Sequence, residues 1–410
     1  MSITTDPSTN QGAGGDSFRI GMLLSDTRYR SYTFQFIALI LLIFGIAYLV
    51  SNLIANLNDL GLNISWAFLQ EPAGYDINQR PIEYNSQSTH ARASLVGAIN
   101  TLIVAFLACV TATIFGVIAG VLRLSNNWIV ARIMSVYVEA FRNVPVLIWI
   151  LIIMAWMTNG LPQPRAFRGE APEAEMWLGM VAFTNRGVYI PSFINGPGSG
   201  IFWGVFVLSL IGVFAYRRYA KKLLFDTGRL LPMGWPSLVI LIVPPLIAFF
   251  ALGQPVGLES PELRGFNFQG GVHLRLSLLA LWFALAIYTG AFIAENVRAG
   301  IQAISKGQTE AAASLGLRPG RIMNLVILPQ ALRVIIPPLI SQYLNITKNS
   351  SLAIAVGYMD ITGTLGGITL NQTGRAIECI LLLMLFYLIV SLSISAIMNV
   401  YNNSVKLKER

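Results

Sequence analysis

Apolar residues come in long blocks along this chain, near 34–54, 94–122, 133–157, 201–216, 236–253, 276–297, 334–356 and 377–400, with polar stretches between them. Several blocks reach the ~20 residues that a helix needs to cross the hydrocarbon core of a bilayer. The pattern predicts an all-α polytopic membrane protein with about eight transmembrane helices. The seventh block is the least uniform, because it holds Pro337, Pro338, Asn345 and Lys348. The first begins near Phe34 and is too long for the apolar part of a cleaved signal, so it is expected to stay as a span. The polar, Gly/Ser/Thr-rich residues ahead of it read as a disordered tail over 1–33.

Composition supports the membrane reading. The chain is 55% hydrophobic and 11% charged, against about 25% charged in soluble domains. Its net charge of +9 does not form the footprint of a nucleic-acid-binding protein, because the basic residues sit in short connections beside spans. With the N-terminus inside, the inner connections carry eighteen basic residues and the outer ones eight. Basic residues favour the cytoplasmic side, so both ends of the chain are expected in the cytoplasm. Cys109 and Cys379 lie inside apolar blocks, and His90 and His273 are far apart at span edges. Neither pair has the spacing of a disulfide framework or a metal site.

The outer segments 55–93 and 158–200 are long for connections. The second contains "LPQPRAFRGEAPEAEMW" and "NGPGSG", which are rich in turn-forming residues. Short interfacial helices around Trp66 and Trp177 are one expectation. Two readings stay open for these segments: variable loops, or a docking surface for something outside the membrane.

The stretch "SKGQTEAAASLGLRPGRIMNLVILPQALR", residues 305–333, is polar and alanine-rich between two spans. Thr309 can cap a helix beginning at Glu310, whose charge suits the positive end of the dipole. Ala311, Ala312 and Leu315 are spaced to share a face. Gly316 is placed to end that helix in a left-handed cap, and Pro319 to open a second one. Ile322, Leu325 and Val326 form the second helix's apolar stripe, and Pro329 is expected to break it. The prediction is a small rigid hairpin on the cytoplasmic face.

That hairpin resembles the EAA loop of ATP-binding-cassette importer permeases: Glu-Ala-Ala, a glycine after three residues, then an aliphatic residue and Leu-Pro. Here the matching positions are Glu310, Ala311, Ala312, Gly316, Val326, Leu328 and Pro329, with valine at 326 where isoleucine is usual. "NTLIVAF" at 100–106, "VEAFRNVPVLI" at 138–148 and "LPQALRVIIPPLISQYLNITKNSSLA" at 328–353 resemble the polar amino-acid branch of the same family. The resemblance implies a five-helix permease core over 94–157 and 273–403, with the coupling loop at 299–333. The first span with its outer segment (34–93), and 158–272 with two further spans, are additions to that core. Residues 404–410 form a cytoplasmic tail. An enlarged chain of this kind resembles the larger permease of general L-amino-acid importers, which pairs with a second, different permease in a heterodimer. The loop would dock on two copies of an ATPase subunit. A periplasmic amino-acid-binding protein would deliver substrate, and the setting would be a bacterial inner membrane.

The residues themselves supply a separate argument about energy. No glycine-rich loop of P-loop spacing ends in Lys-Ser or Lys-Thr. "GIQAISKG" at 300–307 is only an echo, since glycine follows Lys306. The chain is therefore expected to be a non-hydrolytic subunit without its own cofactor, with ATP and magnesium held by the partner ATPase.

Charges within spans are costly and mark functional candidates. Glu139 with Arg142, and Glu295 with Arg298, share the i, i+3 spacing of one helix face. Each pair can either neutralise itself within the bundle or meet a substrate. Arg142 lies about ten residues, or roughly 15 Å, into its block, near the depth where transporters hold substrate. The substrate-binding candidates are Glu139, Arg142, Asn143, Glu295, Asn345, Lys348 and Ser350; the coupling candidates are Glu310, Ala311, Ala312, Leu315, Gly316, Leu328 and Pro329. The resulting reading is an amino-acid importer subunit. The alternative is an ion-coupled secondary transporter using Glu139, Arg142 and Lys348, which leaves the hairpin without a purpose. A membrane-embedded enzyme lacks a nucleophile–base set.

Overall fold

A computed structural model describes residues 24, 27–59, 61, 63–169 and 172–405. The expected tail at 1–33 and the C-terminal tail lie largely outside the described residues. The chain divides into two compact units, Met1–Ser65 and Trp66–Arg410. The first contains helix α1, Thr27–Asp59, whose apolar side chains are exposed along nearly its whole length. Its span of about 50 Å, at 1.5 Å per residue, is ample for a bilayer.

The second unit is built on α2 (His90–Leu122) packed along α7 (Leu276–Gln302). Small residues make this close approach possible. Ala108, Ala112, Gly116 and Gly120 recur on one side of α2, all buried, while Gly97 and Thr101 meet the segment around Asp360–Thr364 instead. A Cβ on Gly116 would lie 2.5 Å from the Ile293 side chain, and one on Gly120 2.7 Å from the Ala294 carbonyl. Membrane helices associate through such small-residue seams because lipid provides little hydrophobic drive.

The block at 133–157 is not one helix. It forms α3 (Trp128–Asn143) and α4 (Val146–Gly160), bent by 109°. The cause is local: Val144, ahead of Pro145, is extended at φ −114° and ψ 133°, because the proline ring disfavours helical backbone before it. Counting this bent pair as one span, the described residues hold eight candidate crossings; otherwise seven helices are long and apolar enough. Two of them, α5 (Ser199–Thr227) and α6 (Gly234–Ala251), pack on each other.

The segments flanking α5 and α6 form strands rather than plain loops. β1 (Ala182–Thr184), β2 (Gly187–Ile190) and β7 (Val272–Arg275) make an antiparallel sheet. β3 (Ser192–Asn195) pairs with β4 (Val256–Glu259), and β5 (Glu262–Arg264) with β6 (Asn267–Gln269). Ala182, Tyr189 and Phe268 form the buried centre of this module, with Phe167 and Leu263 against it. Trp177 sits in a tight turn bridged to Val181 and not in a helix; Trp66 precedes a single 3₁₀ turn, Ala67–Gln70.

The rest of the chain runs α8 (Lys306–Ser314), α9 (Pro319–Ile322), a π-turn (Met323–Ile327) and α10 (Leu328–Asn349). A 3₁₀ segment (Ser350–Val356), a π-helix (Thr362–Thr369), α11 (Leu370–Thr373) and α12 (Ala376–Val405) complete it. Pro329 does not end the helix. The wide π-turn directly before it relieves the ring and its missing N–H, and the chain passes into α10 without stopping. Pro337 and Pro338 likewise lie inside α10. The strand module adjoins the first residue of α7 and the α8 hairpin follows its last. The two therefore sit at opposite ends of a helix about 40 Å long.

Candidate functional site

The hairpin is rigid for identifiable reasons. Its first helix starts at Lys306 after Ser305, so Thr309 lies within the first turn and caps nothing. Its end is a full Schellman cap. Gly316 takes φ +77°, its N–H donates to the Ala313 carbonyl at 2.9 Å, and the Leu317 N–H donates to the Ala312 carbonyl at 3.3 Å. Pro319 then occupies the first turn of α9. Ala312 is buried and α8 packs against the π-turn, while Glu310 and Ala311 face outward and Leu315 is 81% exposed. Ala311, Ala312 and Leu315 thus do not share one buried face. Leu328 is exposed and Pro329 half-buried at the foot of α10.

The charged candidates regroup in space. Arg142 is not beside Glu139; its guanidinium lies 3.9 Å from Glu295 and 5.4 Å from the centre of the Phe292 ring. Glu295 also accepts from Arg298 at 2.5 Å and from Arg123 at the end of α2. Arg298 reaches on to Gln302 at 2.7 Å. One carboxylate therefore gathers three guanidiniums, from the C-terminal ends of α2 and α3 and from α7 itself. Because α3 ends at Asn143, the 15 Å depth inferred for Arg142 along a continuous helix does not apply; the cluster lies within two turns of the hairpin end of α7.

Glu139 is exposed, accepts a long hydrogen bond from Asn143 at 3.5 Å, and lines a groove with Asn143, Arg132 and Ser135. Asn345 and Lys348 are exposed on the last turns of α10. Lys348 takes part in none of the ion pairs among the described residues. Ser350 is buried and donates to the Thr347 carbonyl at 2.7 Å. The seven candidates thus fall into three groups.

Two contributors escaped sequence reasoning. Arg123 reads as one more basic loop residue until α2 and α7 are side by side. Asp360 lies between two spans and is fully buried. Its Oδ1 accepts the Gly363 N–H at 2.8 Å, and its Oδ2 is sealed without a hydrogen bond. Around it the N-terminal half of α2 is tied to the chain after α10. Asn100 donates to the carbonyls of Gln79, at 3.0 Å, and Met359, at 2.9 Å, and accepts at its own carbonyl from Tyr358 at 3.0 Å. An aspartate in so apolar a surrounding was the available signal. Among the described residues no His/Cys/Asp/Glu group could hold a metal ion.

Residues 222–406 match the family described as binding-protein-dependent transport system inner membrane component. The chain is 50% identical to the glutamate/glutamine/aspartate/asparagine transport system permease protein of Rhodobacter capsulatus, over 100% of both chains. It is 40% identical to the general L-amino acid transport system permease protein of Rhizobium johnstonii, over 97% of this chain and 96% of that one. Among solved structures, an amino acid ABC transporter crystallised with histidines has a TM-score of 0.44 and 20% identity, over 77% of this chain and 95% of that one. With full-length agreement to such relatives, the chain belongs to the amino-acid permease subunits of binding-protein-dependent ABC importers, inner-membrane components whose ATPase is a separate subunit.

Proposed function

We infer that this permease imports polar L-amino acids, acidic and amide side chains among them. It would pair with a second permease chain, above two ATPase subunits that hold ATP and magnesium. Both termini lie in the cytoplasm, so the hairpin faces the ATPases and the strand module faces outward. The domain division into a five-helix core, an added first span and an inserted 158–272 region belongs to the same reading.

The observation that carries it is the hairpin. A nine-residue helix, locked at its end by Gly316 and held by Ala312, turns Glu310 and Leu315 outward at the foot of α7 and α10, where an ATPase subunit would dock. Movement imposed there passes directly into α7, whose other face is packed along α2, and into α10 through the π-turn. The Glu295 cluster ties α2 and α3 to the same end of α7, so they follow. An ion-coupled mechanism gives this hairpin nothing to do.

For the substrate, either Arg142, beside Glu295, or the exposed Lys348, with Asn345 on the same helix, would hold the carboxylate, and the exposed Glu139, with Asn143, would meet the ammonium; the buried Ser350, bonded to the Thr347 carbonyl, would support the Lys348 turn and not touch the substrate. The test of the coupling role is Glu310→Lys and Gly316→Asp in the reconstituted importer. Both should insert normally and separate ATP hydrolysis from uptake. Normal coupling in both would remove the role assigned to the hairpin.

A further inference from the structure

The strand module carries a cluster of arginines without ion pairs among the described residues. Arg165 and Arg168, on and just after the 3₁₀ turn Pro164–Phe167, and Arg186, in the β1–β2 turn, line one cavity of about 110 Å³ with Leu263 and Phe266. All three arginines are exposed. Two other arginines outside the helical core have carboxylates at hand: Arg80 with Asp76 at 3.8 Å, and Arg264 with Glu262 at 2.9 Å. Among the described residues, no carboxylate lies within ion-pair distance of Arg165, Arg168 or Arg186.

The cluster is also held in place. The Arg186 guanidinium donates to the Phe266 carbonyl at 3.3 Å. Arg168 lies over the Phe266 ring at 5.9 Å. Phe266 stands at the tip of the β5–β6 hairpin, 88% exposed. Beneath it the module is braced by Tyr189, which donates to Asn267 at 2.9 Å and stacks on His273 at 4.2 Å. Three like charges brought together around a bare aromatic ring repel one another when the cavity is empty. An acidic partner would reverse that cost. Arginine and aromatic side chains are also those that most often dominate binding energy at protein interfaces. The segments 158–200 and 252–275 contain arginine but no lysine, and the planar guanidinium is the group suited to paired contacts with carboxylates.

We propose that Arg165, Arg168, Arg186 and Phe266 form a docking patch for an acidic surface of the substrate-binding protein. This rests on the importer reading above, which puts the module on the binding protein's side of the membrane. The docked protein would place its carboxylates in the arginine cavity and an apolar contact on Phe266, at the end of α7 opposite the ATPase hairpin.

The test uses the complete importer in zwitterionic nanodiscs, with its loaded binding protein. Arg165→Glu, Arg168→Glu and Arg186→Glu combined should weaken binding at least about tenfold and flatten its dependence on salt. ATPase activity without binding protein should stay unchanged. Lysine substitutions of acidic residues on the binding protein should restore part of the affinity. Arg264→Glu, at an arginine already paired with Glu262, is the control and should have little effect. Unchanged affinity in the triple variant, beside a wild type that responds to the binding protein, overturns the patch alone. So does an effect matched by the control, or one that follows anionic lipid content and not the binding protein. A wild-type assembly whose ATPase ignores the binding protein removes the importer reading and the patch with it.

Discussion

Arg123 and Glu295 stand 172 positions apart in the chain and form an ion pair across the α2–α7 seam. The Arg123 side chain is only 10% exposed there, against 23% for Glu295. Arg298 and Arg142 converge on the same carboxylate. A single acidic residue thus fixes where the ends of α2 and α3 meet α7, within two turns of the hairpin.

Glu295→Ala removes the one carboxylate paired with Arg123 among the described residues and leaves that nearly buried guanidinium with only the Ser135 hydroxyl, at 3.4 Å. We expect a loss of about 2 kcal/mol, less than the 3–5 kcal/mol typical of fully buried pairs because Glu295 keeps some solvent. The check is the thermal midpoint of the purified protein, with Arg298→Ala, whose side chain is more exposed, expected to cost less. An equal or larger loss in Arg298→Ala would show that Arg123 does not depend on Glu295.

Gly116→Leu should force α2 away from α7. Even a Cβ there would meet the Ile293 side chain at 2.5 Å and the Gly290 carbonyl at 2.9 Å, and backbone cannot yield as a flexible side chain does. Overpacking of this kind costs about 1–3 kcal/mol. Gly45, with nothing within 4 Å of its Cβ position, is the control: Gly45→Leu should leave detergent stability unchanged.

The strand module should loosen in acid. Burial holds the His273 imidazole below its ordinary value near 6.5, with Arg275 adding to the effect and the bond to the Arg186 carbonyl opposing it. The unfolded chain therefore binds a proton more readily than the folded one. The stabilisation is complete above about pH 6.5 and is lost as pH falls through the window down to the depressed value. The protection of amides in 182–190 and 267–275, taken as the ratio of intrinsic to observed hydrogen-exchange rate and followed from about pH 8 to pH 5, should fall across that window. His273→Phe keeps the stack on Tyr189 and should remove its contribution to the slope; an unchanged slope would assign the effect elsewhere.

Arg142→Ala and Lys348→Ala test the substrate assignment. Loss of a charge-assisted hydrogen bond to a carboxylate should raise the KM for uptake about tenfold or more. Arg142 is already engaged with Glu295, so its variant should also lower stability, whereas Lys348→Ala should not. If both variants kept wild-type uptake kinetics, neither residue would be the carboxylate ligand.

The helical class, the positions of most spans and the hairpin were legible because each rests on short-range chemistry. An apolar block of about 20 residues is insoluble as anything but a buried or membrane helix. Gly316 followed by Pro319 ends one helix and starts another whatever surrounds them. The bend at Pro145 was not foreseen, since the apolar block at 133–157 reads as one span, although its cause, a proline that keeps Val144 extended, is local. The strands were not legible. β2 and β7 are each four residues long and pair across 81 or more intervening positions, so no local alternation announces them.

The sequence by itself determined that this protein lives in a membrane, where its polar hairpin lies, and that a left-handed glycine ends the hairpin's first helix. Those follow from hydropathy, glycine and proline, which act within a few residues. Only the tertiary structure decided which charges meet. Glu139 and Arg142 have ideal spacing for a pair, yet Arg142 turns to Glu295, because the α3–α4 bend brings the end of α3 to α7. Arg165, Arg168 and Arg186 became a cluster for the same reason: ion pairing depends on distance through space, and packing sets that distance.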